Sequence, residues 1–132
     1  MSSTLPFAQH LLAMGRNLER LGQNHAASVL LSRLATFREV PQDLAEDTQL
    51  HLAELHLKCG HFKKARRHLA AVLAVRPDNA HYHFLMAGAV EEDETCDPRR
   101  ALAGYRRCTK MDPANPEYWC ALGVLALRLG ET

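Results

Sequence analysis

Apolar residues recur along this chain at steps of three and four, the helical period, rather than alternating as in a half-buried strand. Leu50, Leu52, Ala53, Leu55 and Leu57 crowd into one segment that ends at Cys59-Gly60. Phe62, Ala65, Leu69, Val72 and Leu73 make the next stripe. The punctuation agrees with helices. Asn79 can cap a helix start, and Asp97-Pro98 reads as an N-cap followed by a first-turn proline. Gly22, Gly60 and Gly130 each follow a helical run, where glycine tolerates a left-handed turn. The pattern predicts seven helices, at about 5–21, 24–38, 43–59, 62–76, 79–92, 98–111 and 115–129. Short loops make consecutive helices antiparallel hairpins. One hairpin is too small to bury its own apolar stripe, so neighbours must stack.

The stacking has a period. Pro41, Pro77 and Pro113 are 36 residues apart, and a short polar turn follows each of the last two. Between them, Cys59-Gly60 leads to Ala65 and Leu69, as Cys96-Asp97 leads to Ala101 and Tyr105. Leu52-Ala53, His56, Gly60, Phe62, Ala65, Leu69 and Pro77 resemble the tetratricopeptide repeat, whose pattern reads W-x2-L-G-x2-Y, then A-x3-F, then P. Met86-Ala87, Val90, Ala101, Tyr105 and Pro113 repeat it with two extra residues, placed in the acidic stretch Glu91–Glu94, which is expected to fray into a loop. Met14-Gly15, Leu18, Gly22, Ala27 and Leu31 form a less regular first copy, untidy at Arg38–Gln42. Trp119, Leu122-Gly123, Ala126 and Gly130 begin a fourth. The resemblance implies an all-α, right-handed solenoid, one domain over 1–132, with repeats at about 8–41, 46–79 and 80–115 and a capping helix at 116–130. Ala53, Ala65, Ala87 and Ala101 are then expected where helices approach closely, with Phe62, Leu69 and Tyr105 filling the spaces between.

Composition narrows the function classes. The 132 residues are 47% hydrophobic but only 6% aromatic, rich in Leu and Ala and without a single Ile. That favours helix over sheet. A net charge of +1 offers no global pull on a polyanion. The longest apolar run, Leu69–Val75, is far too short to cross a bilayer, and Met1–Phe7 has no basic, apolar leader pattern. A cytoplasmic protein without membrane contact is the expectation. Cysteines 59, 96, 108 and 120 contain no C-x-x-C pair and are expected to be small buried hydrophobes.

The resemblance also implies where a partner would bind, because the first helix of each hairpin lines a concave groove in this family. Registering the repeats puts Gln9, Leu12, Arg16 and Glu19 on that face, then Asp47, Leu50, Glu54, Leu57 and Lys58. His81, Phe84, Gly88 and Glu91 follow, and the capping helix adds Glu117, Cys120 and Val124. Acidic residues gather on or after first helices (Glu39–Glu54, Glu91–Asp97), whereas Lys63, Lys64, Arg66, Arg67 and Arg76 sit on or after a second helix. Arg99, Arg100, Arg106, Arg107 and Lys110 repeat that basic set. Such sorting solvates exposed faces, or selects a basic or amphipathic peptide. A basic ridge for nucleic acid is disfavoured by the near-neutral charge and the lack of interleaved aromatics. The Lys and Asn set that grips chaperone tails is missing, with Leu12, Arg16 and His51 in its place.

Chemistry is not expected. His51, His56 and His61 recur every five residues, about 140° apart on a helix, so they do not share a face. His81 and His83 diverge likewise, and no H-E-x-x-H or phosphate loop occurs. His56, at the tyrosine position, reads as a satisfied core histidine; a metal pair with Cys59 has no second half. The expectation is a non-enzymatic scaffold without cofactor or metal, binding a protein or peptide. The alternatives are a self-associating (homodimeric) structural module and a regulatory segment fused to a catalytic domain.

Overall fold

The computed structural model describes residues 4–36 and 40–130. Among them are seven helices: α1 (Thr4–Arg20), α2 (Asn24–Ala35), α3 (Gln42–Lys58), α4 (Phe62–Val75), α5 (Ala80–Glu92), α6 (Pro98–Met111) and α7 (Pro116–Arg128). The expected boundaries agree within one residue at every end except that of α2, part of whose expected last turn lies outside the described residues, as do Arg38 and the two residues after Gly130. The architecture is all-α and of the tetratricopeptide-like solenoid type. None of the described helices is long and apolar enough to cross a membrane.

The helix ends follow from local chemistry. Asn79 accepts a hydrogen bond from the Tyr82 amide at 3.1 Å, Asp97 from the Arg99 amide at 3.0 Å, and Asn115 from the Glu117 amide at 2.9 Å. Each cap satisfies an amide that the first turn leaves without a helical partner. After α3 the chain turns through Gly60 at φ 77°, and the His61 amide reaches back to the His56 carbonyl at 2.8 Å. Gly22 and Gly130 make the same left-handed turn, which costs a side-chain-bearing residue roughly 1 kcal/mol or more.

The connection after α5 differs. It runs five residues, 93–97, against three, 59–61, after α3, which locates the two extra residues of the third repeat. Asp93 organises it by accepting from the Thr95 amide at 2.9 Å and hydroxyl at 2.7 Å. The fraying expected from Glu91 does not occur: Glu91 and Glu92 stay helical. Glu91 accepts the Tyr105 hydroxyl at 2.6 Å and pairs with Arg128 at 3.3 Å, which offsets its unfavourable place at a helix C-terminus.

The chain divides into two compact units, Met1–His68 and Leu69–Thr132. In the first, α1 packs on α2 and α2 on α3 around Ala8, Leu12, Ala27, Leu31, Leu34, Leu52 and Leu55. Gly15 allows the closest approach, since a Cβ there would stand 2.7 Å from a Leu31 methyl carbon. In the second, α5 packs on α6 and α6 on α7 around Ala87, Val90, Ala101, Leu102, Tyr105 and Leu125. A Cβ on Gly104 would lie 2.8 Å from the Ala87 Cβ, so α5 and α6 meet where both side chains are minimal. Ala53, Ala65, Ala87 and Ala101 are all buried, as the small-residue positions predicted; Leu69 and Tyr105 are buried and Phe62 half-buried.

Candidate partner-binding surfaces

In the first unit, α1 and α3 lie side by side and are tied across their exposed faces. Arg16 donates from Nε to His51 Nε2 at 2.9 Å and approaches Asp47 at 3.7 Å. Lys58 reaches Glu19 at 2.7 Å, and that hydrogen bond and charge hold its ammonium above the ordinary lysine range. In the second unit, α5 and α7 are tied in the same way through Glu91 and Arg128. Five of the expected groove residues, Arg16, Glu19, Asp47, Lys58 and Glu91, therefore engage a neighbouring first helix. The sequence could hint at such pairs only by charge, because partners separated by 31 to 39 residues have no local spacing rule.

The remaining expected residues divide by burial. Gln9, His81, Glu117, Cys120 and Val124 are exposed, and Leu50, Glu54, Leu57 and Gly88 are half-buried. Leu12 requires a correction. It is 4% exposed, one turn on from Ala8 on the inward stripe of α1, and belongs to the core. Phe84 is half-buried among aromatics, its ring centroid 5.6 Å from Tyr105 and 4.9 Å from Tyr118, so its main contacts are internal. Burial raises the pKa of both tyrosines, and for Tyr105 the bond to Glu91 raises it further.

Between α1 and the start of α3 lies an open depression of about 200 Å3, lined by Gln9, Pro41, Asp43, Leu44 and Asp47. It combines two carboxylates with two apolar side chains. Gln9 and Asp47 were expected on this face; Pro41, Asp43 and Leu44 were not, because they precede the registered repeat, which begins at about residue 46.

A histidine cluster closes the end of the first unit. His56 is 7% exposed and stacks on His68, with centroids 5.4 Å apart and planes 5° apart; His61 lies at 5.7 Å. His68 Nδ1 is 2.6 Å from Gln49 Oε1. Burial, then the charges of His68, His61 and Lys64, lower the pKa of His56 to about 4. Burial and Arg67 lower that of His68. His56 and His61 do come together, contrary to the helical-wheel expectation, because the Gly60 turn lifts His61 off the helix. The described residues contain no group of three or more His, Cys, Asp or Glu able to hold a metal ion.

The cysteines also depart from expectation. Cys108 is buried, donating to the Ala80 carbonyl at 3.5 Å, and burial raises its pKa. Cys96 is half-buried, but Cys59 and Cys120 are exposed. Cys59 caps the end of α3 and Cys120 lies on the outward face of α7, and no described residue buries either.

A family model described as tetratricopeptide repeat matches residues 11–88, and a second with the same description matches residues 96–132. No curated protein matches the chain. Among solved structures it is similar to MamA, residues 41 to the end, from Desulfovibrio magneticus RS-1, at TM-score 0.82 and 23% identity, covering 94% of this chain and 67% of that one. It is similar to the C-terminal TPR-containing domain of a Plasmodium falciparum FK506-binding protein at TM-score 0.73 and 16% identity, covering 93% and 88%. A thermophilic TPR protein of Thermus thermophilus matches at TM-score 0.68 and 24% identity, covering 94% and 66%. This chain spans about two thirds of the MamA and Thermus chains, and identities this low speak to the fold.

Proposed function

Because the chain belongs to the tetratricopeptide repeat family, and so to a class of protein–protein interaction scaffolds, we propose that it binds a basic or amphipathic peptide segment on its first-helix faces. The observation that carries this reading is the depression between α1 and α3. Asp43 and Asp47 supply negative charge, while Pro41 and Leu44 supply apolar surface for the aliphatic stem of a Lys or Arg. Exposed Gln9 beside it offers both a donor and an acceptor to a peptide backbone. Leu50, Glu54 and Leu57 extend the surface along α3; His81, Phe84, Glu91, Glu117, Cys120 and Val124 are the corresponding proposed contacts in the second unit.

The family is generally non-enzymatic, and the proposed role needs no catalysis, cofactor or nucleic acid. A cytoplasmic setting belongs to the proposal, since a reducing compartment keeps the exposed thiols of Cys59 and Cys120 free. The test is fluorescence anisotropy with a labelled Lys/Leu amphipathic peptide and its Glu/Leu counterpart. Capture of the basic peptide, weakened by added salt and lost in the Asp43→Lys/Asp47→Lys variant, is the expected result. Equal binding of both peptides, or no effect of the substitutions, would sink the proposal. A pull-down read by mass spectrometry with Leu50 and Glu54 replaced checks the α3 assignment; an unchanged partner list removes it.

A further inference from the structure

Two first helices, α5 and α7, carry a ring that folds back over the loop before them. His83 Nε2 donates to the Pro77 carbonyl at 2.8 Å, and Trp119 Nε1 to the Pro113 carbonyl at 2.8 Å. The rings stand 36 residues apart, as the prolines do, and each reaches six residues back. One period earlier the same two positions hold Asp47 and Pro41. A carboxylate has no N–H to donate and is far smaller than an imidazole or indole. The Pro41 carbonyl is served otherwise, because α3 starts at Gln42 and the Ala45 amide donates to it at 2.9 Å. The space beside Asp47 stays open, and both Pro41 and Asp47 line the depression there. Its walls are α1 and α3, two consecutive first helices of this chain, so the opening does not depend on where the sequence stops.

We infer that this depression seats one arginine side chain of the bound peptide, and that Asp47 makes it select arginine over lysine. The inference rests on the peptide-binding reading above and names its anchor. At this position the later repeats hold a flat group with an N–H on its edge, and a guanidinium is a flat N–H donor that also carries positive charge. Asp43 and Asp47 stand at i and i+4, so their Cβ atoms lie about 5–6 Å apart on one side of α3. The guanidinium fork can address both carboxylates at once, whereas an ammonium is a compact, strongly hydrated point charge. Leu44 and Pro41 supply apolar surface for the flat face and the aliphatic stem. A volume of about 200 Å3 is below that of a pocket for a drug-sized ligand and suits a single side chain.

Asp47 already has one cation near it. Arg16 approaches at 3.7 Å, but both side chains are about half exposed, at 48% and 54%, and the closer bond of Arg16 is to His51 at 2.9 Å. Asp43 has no ion-pair partner among the described residues. Two carboxylates against one distant cation leave negative charge for the incoming guanidinium, with Arg16 as its competitor.

The test is fluorescence anisotropy of the 132-residue chain with labelled Arg/Leu and Lys/Leu amphipathic peptides of equal length and charge. The Arg/Leu peptide should bind about 2- to 5-fold tighter, the effect of one further exposed charged contact. Asp47→Asn, of the same shape, should bring the two peptides level. Asp47→Trp, which supplies the ring of α7, should fill the depression and weaken capture of both peptides. Arg16→Gln removes the competing cation and should tighten the Arg/Leu peptide about 2- to 5-fold. Residues 16 and 47 are both exposed, so circular dichroism melts of these variants should match the parent. Equal binding of the two peptides by the parent, with capture still lost in Asp43→Lys/Asp47→Lys, overturns the arginine seat and leaves the peptide-binding reading standing. An arginine preference that persists in Asp47→Asn, or undiminished capture by Asp47→Trp, overturns the seat as well. Failure of both peptides to bind overturns both proposals.

Discussion

Acid should unfold this protein partly through one imidazole, and a single substitution should remove that part. His56 is 7% exposed, stacked on His68, and faces His61 and Lys64, so a proton there meets both burial and like charge. Its pKa falls from 6.5 to about 4 in the folded chain. The unfolded chain then takes up the proton first as pH drops. The stability at stake is fully present above pH 6.5, is lost as pH falls from 6.5 toward 4, and changes no further below that. A gap of about 2.5 units at 1.36 kcal/mol per unit would amount to roughly 3 kcal/mol. The ring lies near a helix end, where water screens part of the charge, so about 1–2 kcal/mol is the working figure. His68, lowered by burial and by Arg67, adds loss of the same sign. His56→Tyr keeps an aromatic ring at the position and eliminates the titration. Urea denaturation of both proteins at about pH 7.5 and about pH 4.5 measures the difference while common carboxylate effects cancel. The variant should lose about 1–2 kcal/mol less than the parent on acidification. Parallel losses in the two proteins would refute the assignment, as would a His56 ring resonance titrating near 6.5 by NMR.

Other expectations follow from packing. Gly104→Ala gains about 1 kcal/mol of helix propensity but sets two Cβ atoms 2.8 Å apart, an overpacking of about 1–3 kcal/mol, so thermal melts should show net destabilisation. Gly123→Ala, with open space around its Cβ, should raise monomer stability by about 0.5–1 kcal/mol; a loss there would mean α7 is covered in solution. Ala65→Leu, at a fully buried site, should cost about 1–3 kcal/mol in urea denaturation. Tyr105→Phe removes the 2.6 Å bond to Glu91 and should cost about 1–2 kcal/mol, a loss that vanishes when Glu91 is already Ala.

Helix number, helix ends and the family were legible in the sequence because they depend on neighbours a few residues apart. Asn79, Asp97 and Asn115 cap where their local pattern says, and Gly22, Gly60 and Gly130 turn at a positive φ that strains other residues. The burial of the repeat alanines was legible as well, since the tetratricopeptide pattern marks their positions as small. What tertiary structure decided concerns pairs far apart in the chain. Arg16 with Asp47, Glu19 with Lys58 and Glu91 with Arg128 link first helices, and they offset part of the acidic charge gathered there. Leu12 went inward because α2 packs over its side of α1, whereas registering the repeats puts it on the groove. His56, His61 and His68 gathered because a glycine turn and a second helix fold one segment back on the other. The depression between α1 and α3 falls in the same class: periodicity aligns Asp47 with His83 and Trp119, but only packing shows that the space beside it is open.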